Sequence, residues 1–367
     1  MRSTAAVLPE VGARFHFGDI EVGEPGAGEV AVRVVATGVC HTDQVVREGS
    51  YPAQFPVVLG HEGAGVVEAV GAGVTSLSEG DHVVLSFNSC GQCQPCLSGH
   101  PAYCIDLFLL NFGGARRDGS TAFSDPDGTP IASHFFGQSS FAHHTIAAVR
   151  SVVKVGDDID VTMLGPLGCG IQTGAGTILN ALDPEPGSSI AIFGTGAVGG
   201  AALLAAQVAG STTSIAVDLH DERLATARHL GATDTVRARD DVVGAIMDIT
   251  GGRGVDYAVD TTGVPAVIRQ AADSLATQGA LALVAAAPPG TEITLEVGQS
   301  LLKGWKVRTV IEGDSTPQDF IPRLISLFQA GRFPFNELVK TYPAERVNEA
   351  FDDSATGATI KPVLLFD

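Results

Sequence analysis

The sequence predicts an α/β chain of two parts, a doubly wound parallel sheet domain joined to a mostly-β domain. Three observations carry that prediction. From about residue 187, short apolar runs alternate with helical patterns around a Gly-x-Gly-x-x-Gly turn, which is the signature of consecutive βαβ units. Before that point, short β segments are separated by glycine-rich turns. All six cysteines of the 367 residues precede residue 170, in spacings that suit bound metal.

The elements follow in chain order. Segments 29–36, 57–58, 65–70 and 82–86 alternate or cluster β-branched residues between glycine-rich breaks and are expected to be strands. Residues 111–134 contain Arg116-Arg117-Asp118-Gly119-Ser120 and Asp125-Pro126-Asp127-Gly128 and are expected to form a long polar loop. In the second part, 189–193 is a strand, 198–208 a helix, 214–217 a strand, and 221–230 a helix capped by Asp221. Buried strands at 255–260 and 280–284 flank a helix at 266–275. After Pro288-Pro289-Gly290 the alternation ends, and a helix at 320–330 and a strand at 363–366 are expected to return to the first domain. The expected domains are thus 1–170, 171–309 and the returning 310–367.

Composition narrows the classes of partner. A net charge of −19 disfavours nucleic acid and anionic membrane surfaces, which need clustered Lys and Arg. The N-terminal apolar run is too short for a signal peptide, and 189–209 carries three glycines in a turn, so neither is a membrane segment. A soluble cytoplasmic protein is expected, where clustered cysteines hold metal. A disulfide set is the rival reading, but it leaves Gly60-His61-Glu62, lying between Cys40 and Cys169, unexplained.

The turn Gly194-Thr195-Gly196-Ala197-Val198-Gly199 follows an apolar strand, opens an apolar helix and precedes Asp218 by nineteen residues. Glycines there let backbone N–H groups and the helix N-terminus approach a pyrophosphate. Asp218 would accept the adenosine ribose hydroxyls and repel a 2′-phosphate, favouring NAD over NADP. Arg223 nearby pulls the other way, and a glycine-rich turn without ligand is the bland alternative. The cysteines divide. Cys90, Cys93, Cys96 and Cys104 form C-x2-C-x2-C-x7-C, enough for a closed tetrahedral zinc, whereas two separated cysteines and one histidine leave a fourth position open. Two zincs per chain are expected.

The motifs Gly38-Val39-Cys40-His41-Thr42-Asp43, Gly60-His61-Glu62-Gly63-Ala64-Gly65, the four-cysteine lobe and the dinucleotide turn together resemble the zinc-dependent medium-chain alcohol dehydrogenases over nearly the whole chain. The segment Leu167-Gly168-Cys169-Gly170-Ile171-Gln172-Thr173-Gly174-Ala175-Gly176 resembles their aryl (benzyl) alcohol dehydrogenase branch. The resemblance implies a GroES-like catalytic domain and a Rossmann domain. It implies that Cys40, His61 and Cys169 ligate a catalytic zinc with Glu62 beside it, and that Asp43 orients the His61 ring. Thr42 would take the alcohol proton. His41 would face the cofactor pyrophosphate, in a family that often has Arg there. Thr173 and Val198 would touch the nicotinamide, Arg223 the adenosine ribose and Lys361 the pyrophosphate. Many relatives end the proton relay on a histidine where this chain has Val45, so the relay must end on solvent, the ribose or His41.

Phe135 and Phe136 would line the substrate pocket by the same resemblance, and Tyr51 and Phe87, from segments next to the ligands, would complete an aromatic wall. The expected activity is reversible NAD-dependent oxidation of a primary, aromatic or allylic alcohol to its aldehyde, by a homo-oligomer (dimer or tetramer). Two alternatives stand beside it. One is a thiol-dependent (glutathione or mycothiol) formaldehyde dehydrogenase, for which Arg47, Arg116 and Arg117 are the local cations. The other is a non-catalytic zinc-stabilised binding protein.

Overall fold

The computed structural model describes residues 1–239 and 241–366 of the chain. It divides into two units: Met1–Cys169 with Thr316–Leu324 and Val339–Asp367, and Gly170–Ser315 with Ile325–Leu338. The return is therefore split, with 310–315 and 325–338 belonging to the second unit. No helix among the described residues is long and apolar enough to cross a membrane.

The first unit holds two sheets. In spatial order, Val57–Val58, Arg2–Leu8, His16–Val22, Phe123–Ser124 and Pro130–Ile131 make a five-stranded sheet. The other sheet runs Val152–Lys154, His82–Leu85, Gly63–Val70, Glu29–Gly38, Lys361–Leu365 and Val339–Pro343, with His144–Ala148 also paired to Glu29–Gly38. Leu8, Ile20, Val58, Leu59, Phe141, Ile146, Phe351 and Leu364 are buried in one core, and each such side chain contributes roughly 1.5–3 kcal/mol by leaving water. The expected 111–134 loop is a correction. Its start belongs to a Leu107–Phe112 helix, and Phe123–Ser124 pairs antiparallel with Pro130–Ile131 and with Glu21 and Val22. Four residues of pairing leave little trace in a stretch rich in Gly, Asp and Pro.

The second unit carries a six-stranded, wholly parallel sheet. Its strands are Ser189–Phe193, Thr213–Asp218, Asp234–Arg237, Val255–Asp260, Leu275–Leu283 and Lys306–Thr309. They lie in the spatial order third, second, first, fourth, fifth, sixth, the doubly wound arrangement whose ligand site is the crevice beyond the first strand. The Ala197–Val208 helix is apolar on every side and buried from Gly199 to Ala206, as a helix covered on all faces should be. Several expected boundaries shift by a few residues. The second helix starts at Asp221, but its N-cap position is His220. The helix expected to reach 275 spans Pro265–Asp273, and Leu275 already opens the next strand.

Glu29 ties the polar 111–134 segment to the first unit's sheet. Its carboxylate accepts Arg116 at 2.8 and 2.9 Å, the Gly26 N–H at 2.7 Å and His134 Nε2 at 3.0 Å. Burial opposes ionisation, but these donors outweigh it and hold the carboxyl at about 2, against an ordinary 4.5. A carboxyl depressed in the folded state stabilises fully above its unfolded value and loses that contribution as pH falls through its folded one. The thermal-midpoint difference between wild type and Glu29→Gln should therefore be full at pH 6 and shrink below about pH 4.5 towards pH 2. Equal differences at pH 6 and pH 3 would contradict this assignment.

Candidate active site

The site in the first unit begins at the His41–Arg47 helix, whose N-cap is Cys40. Asp43, in that helix's first turn and fully buried, accepts the Cys40 N–H at 3.0 Å, the Gly60 N–H at 3.1 Å and His61 Nδ1–H at 3.1 Å. One carboxylate thus caps the helix, anchors the turn before His61 and fixes the ring's tautomer. Gly60 adopts φ +87°, and a Cβ there would lie 2.5 Å from Phe141, so only glycine makes this approach. Gln138, also fully buried, braces the next peptides. Its amide donates to the carbonyls of His61 (2.9 Å) and Ser86 (3.0 Å) and accepts the Gly63 N–H (3.1 Å). Cys169 follows a 3-10 turn, Gly165–Gly168, pinned by the Ser86 hydroxyl on the Gly168 carbonyl at 2.6 Å.

Ligand atoms of Cys40, His61, Glu62 and Cys169 all lie within 4.8 Å of one another. His61 Nε2 is buried with no hydrogen-bond partner, a costly state for an imidazole nitrogen unless something accepts its lone pair. A hydrogen bond from Cys169 holds the Cys40 thiol well below its ordinary value; burial opposes this, and Lys361 and His61 assist. An orphaned imidazole nitrogen beside an acidified thiol fits a zinc ion. The second set, Cys90, Cys93, Cys96 and Cys104, also gathers its sulfurs within 4.8 Å, and no disulfide joins any of the six cysteines. Its backbone is already turned inward, with Cys90 N–H on Cys104 Sγ at 3.2 Å and Cys93 N–H on Cys90 Sγ at 3.3 Å. Backbone N–H groups of Ile105 and Cys96 hold the Cys93 thiol at about 6, so it offers a thiolate at neutral pH.

The remaining expected residues are distributed as follows. Thr42 Oγ lies 3.9 Å from Cys40 Sγ; Val45 is buried and His41 exposed on the same short helix. Phe136, at φ +54°, stacks on the His61 ring at 4.4 Å, and Phe135 meets it edge-on at 5.5 Å. Tyr51 is half-buried and packs edge-on against Phe112 at 5.5 Å. Phe87 is fully buried in the core. Lys361 is a correction. Its ammonium is buried on both oxygens of Glu62 at 2.9 Å and on the Val39 carbonyl at 3.1 Å, so it supports the ligand set from behind and is not presented to a phosphate. Arg47 is likewise engaged: it lies over the rings of Phe15 and Phe351 and donates to the Ala13 carbonyl. Sequence reasoning missed Gln138 and Phe112, which carry no spacing signal of their own.

In the second unit, Asp218 ends its strand beside the glycine turn. It accepts the Thr195 N–H (2.8 Å) and hydroxyl (3.0 Å) and the His220 N–H (3.0 Å), with Arg223 Nη1 4.0 Å away. A Cβ on Gly199 would sit 1.9 Å from the Gly194 carbonyl, so strand and helix close tightly there, whereas a Cβ on Gly196 would meet nothing within 4 Å. Close packing on one side and open space on the other fit a turn that admits a pyrophosphate. Thr173 and Val198 belong to helices in contact: a Cβ on Gly174 would lie 2.0 Å from the Val198 carbonyl.

Comparison with known proteins agrees with this geometry. Residues 26–157 match the alcohol dehydrogenase GroES-like domain, and residues 197–330 the zinc-binding dehydrogenase family. The chain is 45% identical over 364 residues to a geraniol dehydrogenase of Castellaniella defragrans, covering 99% of this chain and 97% of that protein. It is 34% identical over 377 residues to an S-(hydroxymethyl)glutathione dehydrogenase of Paracoccus denitrificans, covering both completely. Among solved structures, an alcohol dehydrogenase zinc-binding domain protein from Burkholderia ambifaria superposes with a TM-score of 0.98 at 51% identity, covering 100% of this chain and 99% of that one. The benzyl alcohol dehydrogenase of Acinetobacter calcoaceticus superposes at 0.97 and 45% identity, covering both fully. Zinc and NAD(H) are the cofactors this family implies, and the convergent Cys40, His61 and Cys169 set and the glycine turn with Asp218 at the end of the next strand fit them. The chain belongs to the zinc-dependent medium-chain alcohol dehydrogenases.

Proposed function

We propose that the chain oxidises a primary alcohol with an aromatic or allylic body to its aldehyde, reversibly and with NAD. The observation that supports this most is the aromatic surround of the ligand set, with Phe136 stacked on His61 and Phe135 edge-on to it. Two relatives at 45% identity are named for geraniol and for benzyl alcohol, one allylic and one aromatic. Cys40, His61 and Cys169 would hold one zinc, with Glu62 behind them on Lys361. The four-cysteine set would hold a second. When bound, zinc makes the alcohol proton more acidic and NAD accepts the hydride.

The chain's own residues do the rest. Asp43 accepts a hydrogen bond from His61 Nδ1–H, so Nε2 carries the lone pair. The Thr42 hydroxyl, 3.9 Å from Cys40 Sγ, would take the alcohol proton. Because Val45 cannot pass that proton on, the cofactor ribose, solvent or His41, exposed on the same helix, would receive it. Asp218 selects the cofactor: its carboxylate repels a 2′-phosphate and already engages Arg223 at 4.0 Å.

A thiol-adduct aldehyde substrate needs free cations, and the three candidates are committed. Arg47 lies on two phenylalanines, Arg116 is paired with Glu29 and Arg117 with Asp106. NADH formation should therefore appear with benzyl, cinnamyl and terpenoid alcohols without added thiol, and kcat/KM should be at least about tenfold higher with NAD than with NADP. Activity only in the presence of glutathione, or equal use of both cofactors, would contradict the reading.

No disulfide joins the six cysteines, and clustered thiolates that hold metal suit a reducing compartment, which supports a cytoplasmic location. A homo-oligomer is supported by the second unit's outer edge. Lys306–Thr309 is an exposed terminal strand, and Leu301 and Leu302 on the preceding helix are 79% and 86% exposed. Such an edge invites pairing with another copy. Sedimentation should show a multiple of the chain mass that Leu302→Glu reduces, and a monomeric wild type would refute it.

A further inference from the structure

We infer that Phe112 is a specificity-determining residue, held in place by Asn111 at the end of the four-cysteine lobe; this rests on the aromatic-alcohol reading above. The inference starts from how the lobe closes. Cys104 passes directly into the short Leu107–Phe112 helix, with the Leu107 N–H on the Cys104 carbonyl at 2.9 Å. Two residues before Cys90, on the other side of the lobe, lies Asn88. The Asn111 amide, 1% exposed, joins the two ends. Its Oδ1 accepts the Asn88 N–H at 2.8 Å, and its Nδ2 donates to the Asn88 carbonyl at 3.0 Å and to the Leu107 carbonyl at 2.6 Å. A buried amide satisfied in this way fixes its backbone, since every alternative orientation leaves polar groups unpaired. Phe112 is the next residue, so its position is set by the clasp.

From that position Phe112 organises the rings over the ligand set. It meets Phe135 edge-on at 5.6 Å and Phe136 at 5.2 Å, the two rings that cover His61. Tyr51 packs edge-on against it, and Phe108 stacks on it at 4.9 Å. The inner pair is buried, whereas Phe112 and Tyr51 are half-buried. These two therefore keep ring surface that a flat apolar group could meet, in addition to the buried rings beside His61. Edge-to-face contact with the ring of an aryl alcohol would strengthen its binding and leave a short linear alcohol untouched. The affected quantity is KM for the aryl substrate, because the contact is made equally in the ground and transition states.

The test compares benzyl alcohol with ethanol in the zinc-loaded, full-length protein. Phe112→Ala should lower the ratio of kcat/KM for benzyl alcohol over ethanol by about tenfold, through the benzyl alcohol KM, and Phe112→Leu by about threefold. Asn111→Ala should move the benzyl alcohol KM in the same direction with little change in kcat, as expected of a residue that acts by placing Phe112. Zinc content and thermal midpoint are measured on each variant, and Phe112→Leu, which keeps the apolar bulk, guards against a folding defect. An unchanged ratio in Phe112→Leu, at wild-type zinc content and midpoint, would overturn the inference. A wild type that uses ethanol as well as benzyl alcohol would sink the substrate reading itself, without recourse to any variant.

Discussion

The carboxylate of Asp43, closed off from solvent, takes three donors at once: the Cys40 N–H, the Gly60 N–H and the His61 ring. Two of those donors belong to residues of the set proposed to hold zinc, and the third, Gly60, immediately precedes His61. A neutral residue of the same size would leave at least one donor unpaired in a dry environment, at a cost of about 1–3 kcal/mol. The consequence is chemical as well as structural. With Nδ1–H committed to Asp43, the only lone pair the ring can offer is at Nε2, which has no hydrogen-bond partner. A ligand set is thus assembled in advance, held by a group that touches none of the reacting atoms.

The charges around that set explain why so many ionisable groups are buried together. Burial pushes the Glu62 carboxyl up, and Lys361 opposes that push with an ammonium bound to both carboxylate oxygens. Burial likewise opposes the charged form of Lys361, and Glu62 and Cys40 more than compensate. Buried ion pairs are poor sources of stability, because desolvation offsets most of the attraction. Their value here lies in setting the field at the Cys40 and Cys169 sulfurs. The Lys361 cation beside the acidified Cys40 thiol keeps the cluster from being an uncompensated block of negative charge. Fixed rings cover the other side, and the left-handed conformation of Phe136 is the kind of local strain that surrounding structure must hold in place.

How much of this was legible in sequence depended on whether the signal was local. The strands at 189–193 and 255–260 agree residue for residue with the structure, because each carries a buried apolar stretch, 190–193 and 258–259, close to turn residues. The four-cysteine set was legible as a spacing and the Cys40, His61 and Cys169 set through the family resemblance, and the ligand atoms of each gather within 4.8 Å. The strand opening at Leu275 was not, since Gln278-Gly279 interrupts it and the preceding residues continue a helical period. Lys361 misled for a different reason. Its pyrophosphate role was carried over from the family resemblance, and only the fold brings Glu62, 299 residues away, against it. Gln138 and Asn111 share that property: single amides whose role is to satisfy backbone groups distant in sequence. Phe112 was hidden because its partners come from 51 and from 135–136.

The claim on which the rest turns is that Asp43 prepares the Cys40, His61 and Cys169 set for zinc, independently of the four-cysteine set. Zinc counted per chain during stepwise chelator competition, in wild type and in Asp43→Asn, tests it most directly. Wild type should hold two zincs, and the variant should hold one as tightly as before while its other loosens by about 10–100-fold. Two equally retained zincs in Asp43→Asn, or loss of both together, would contradict the account.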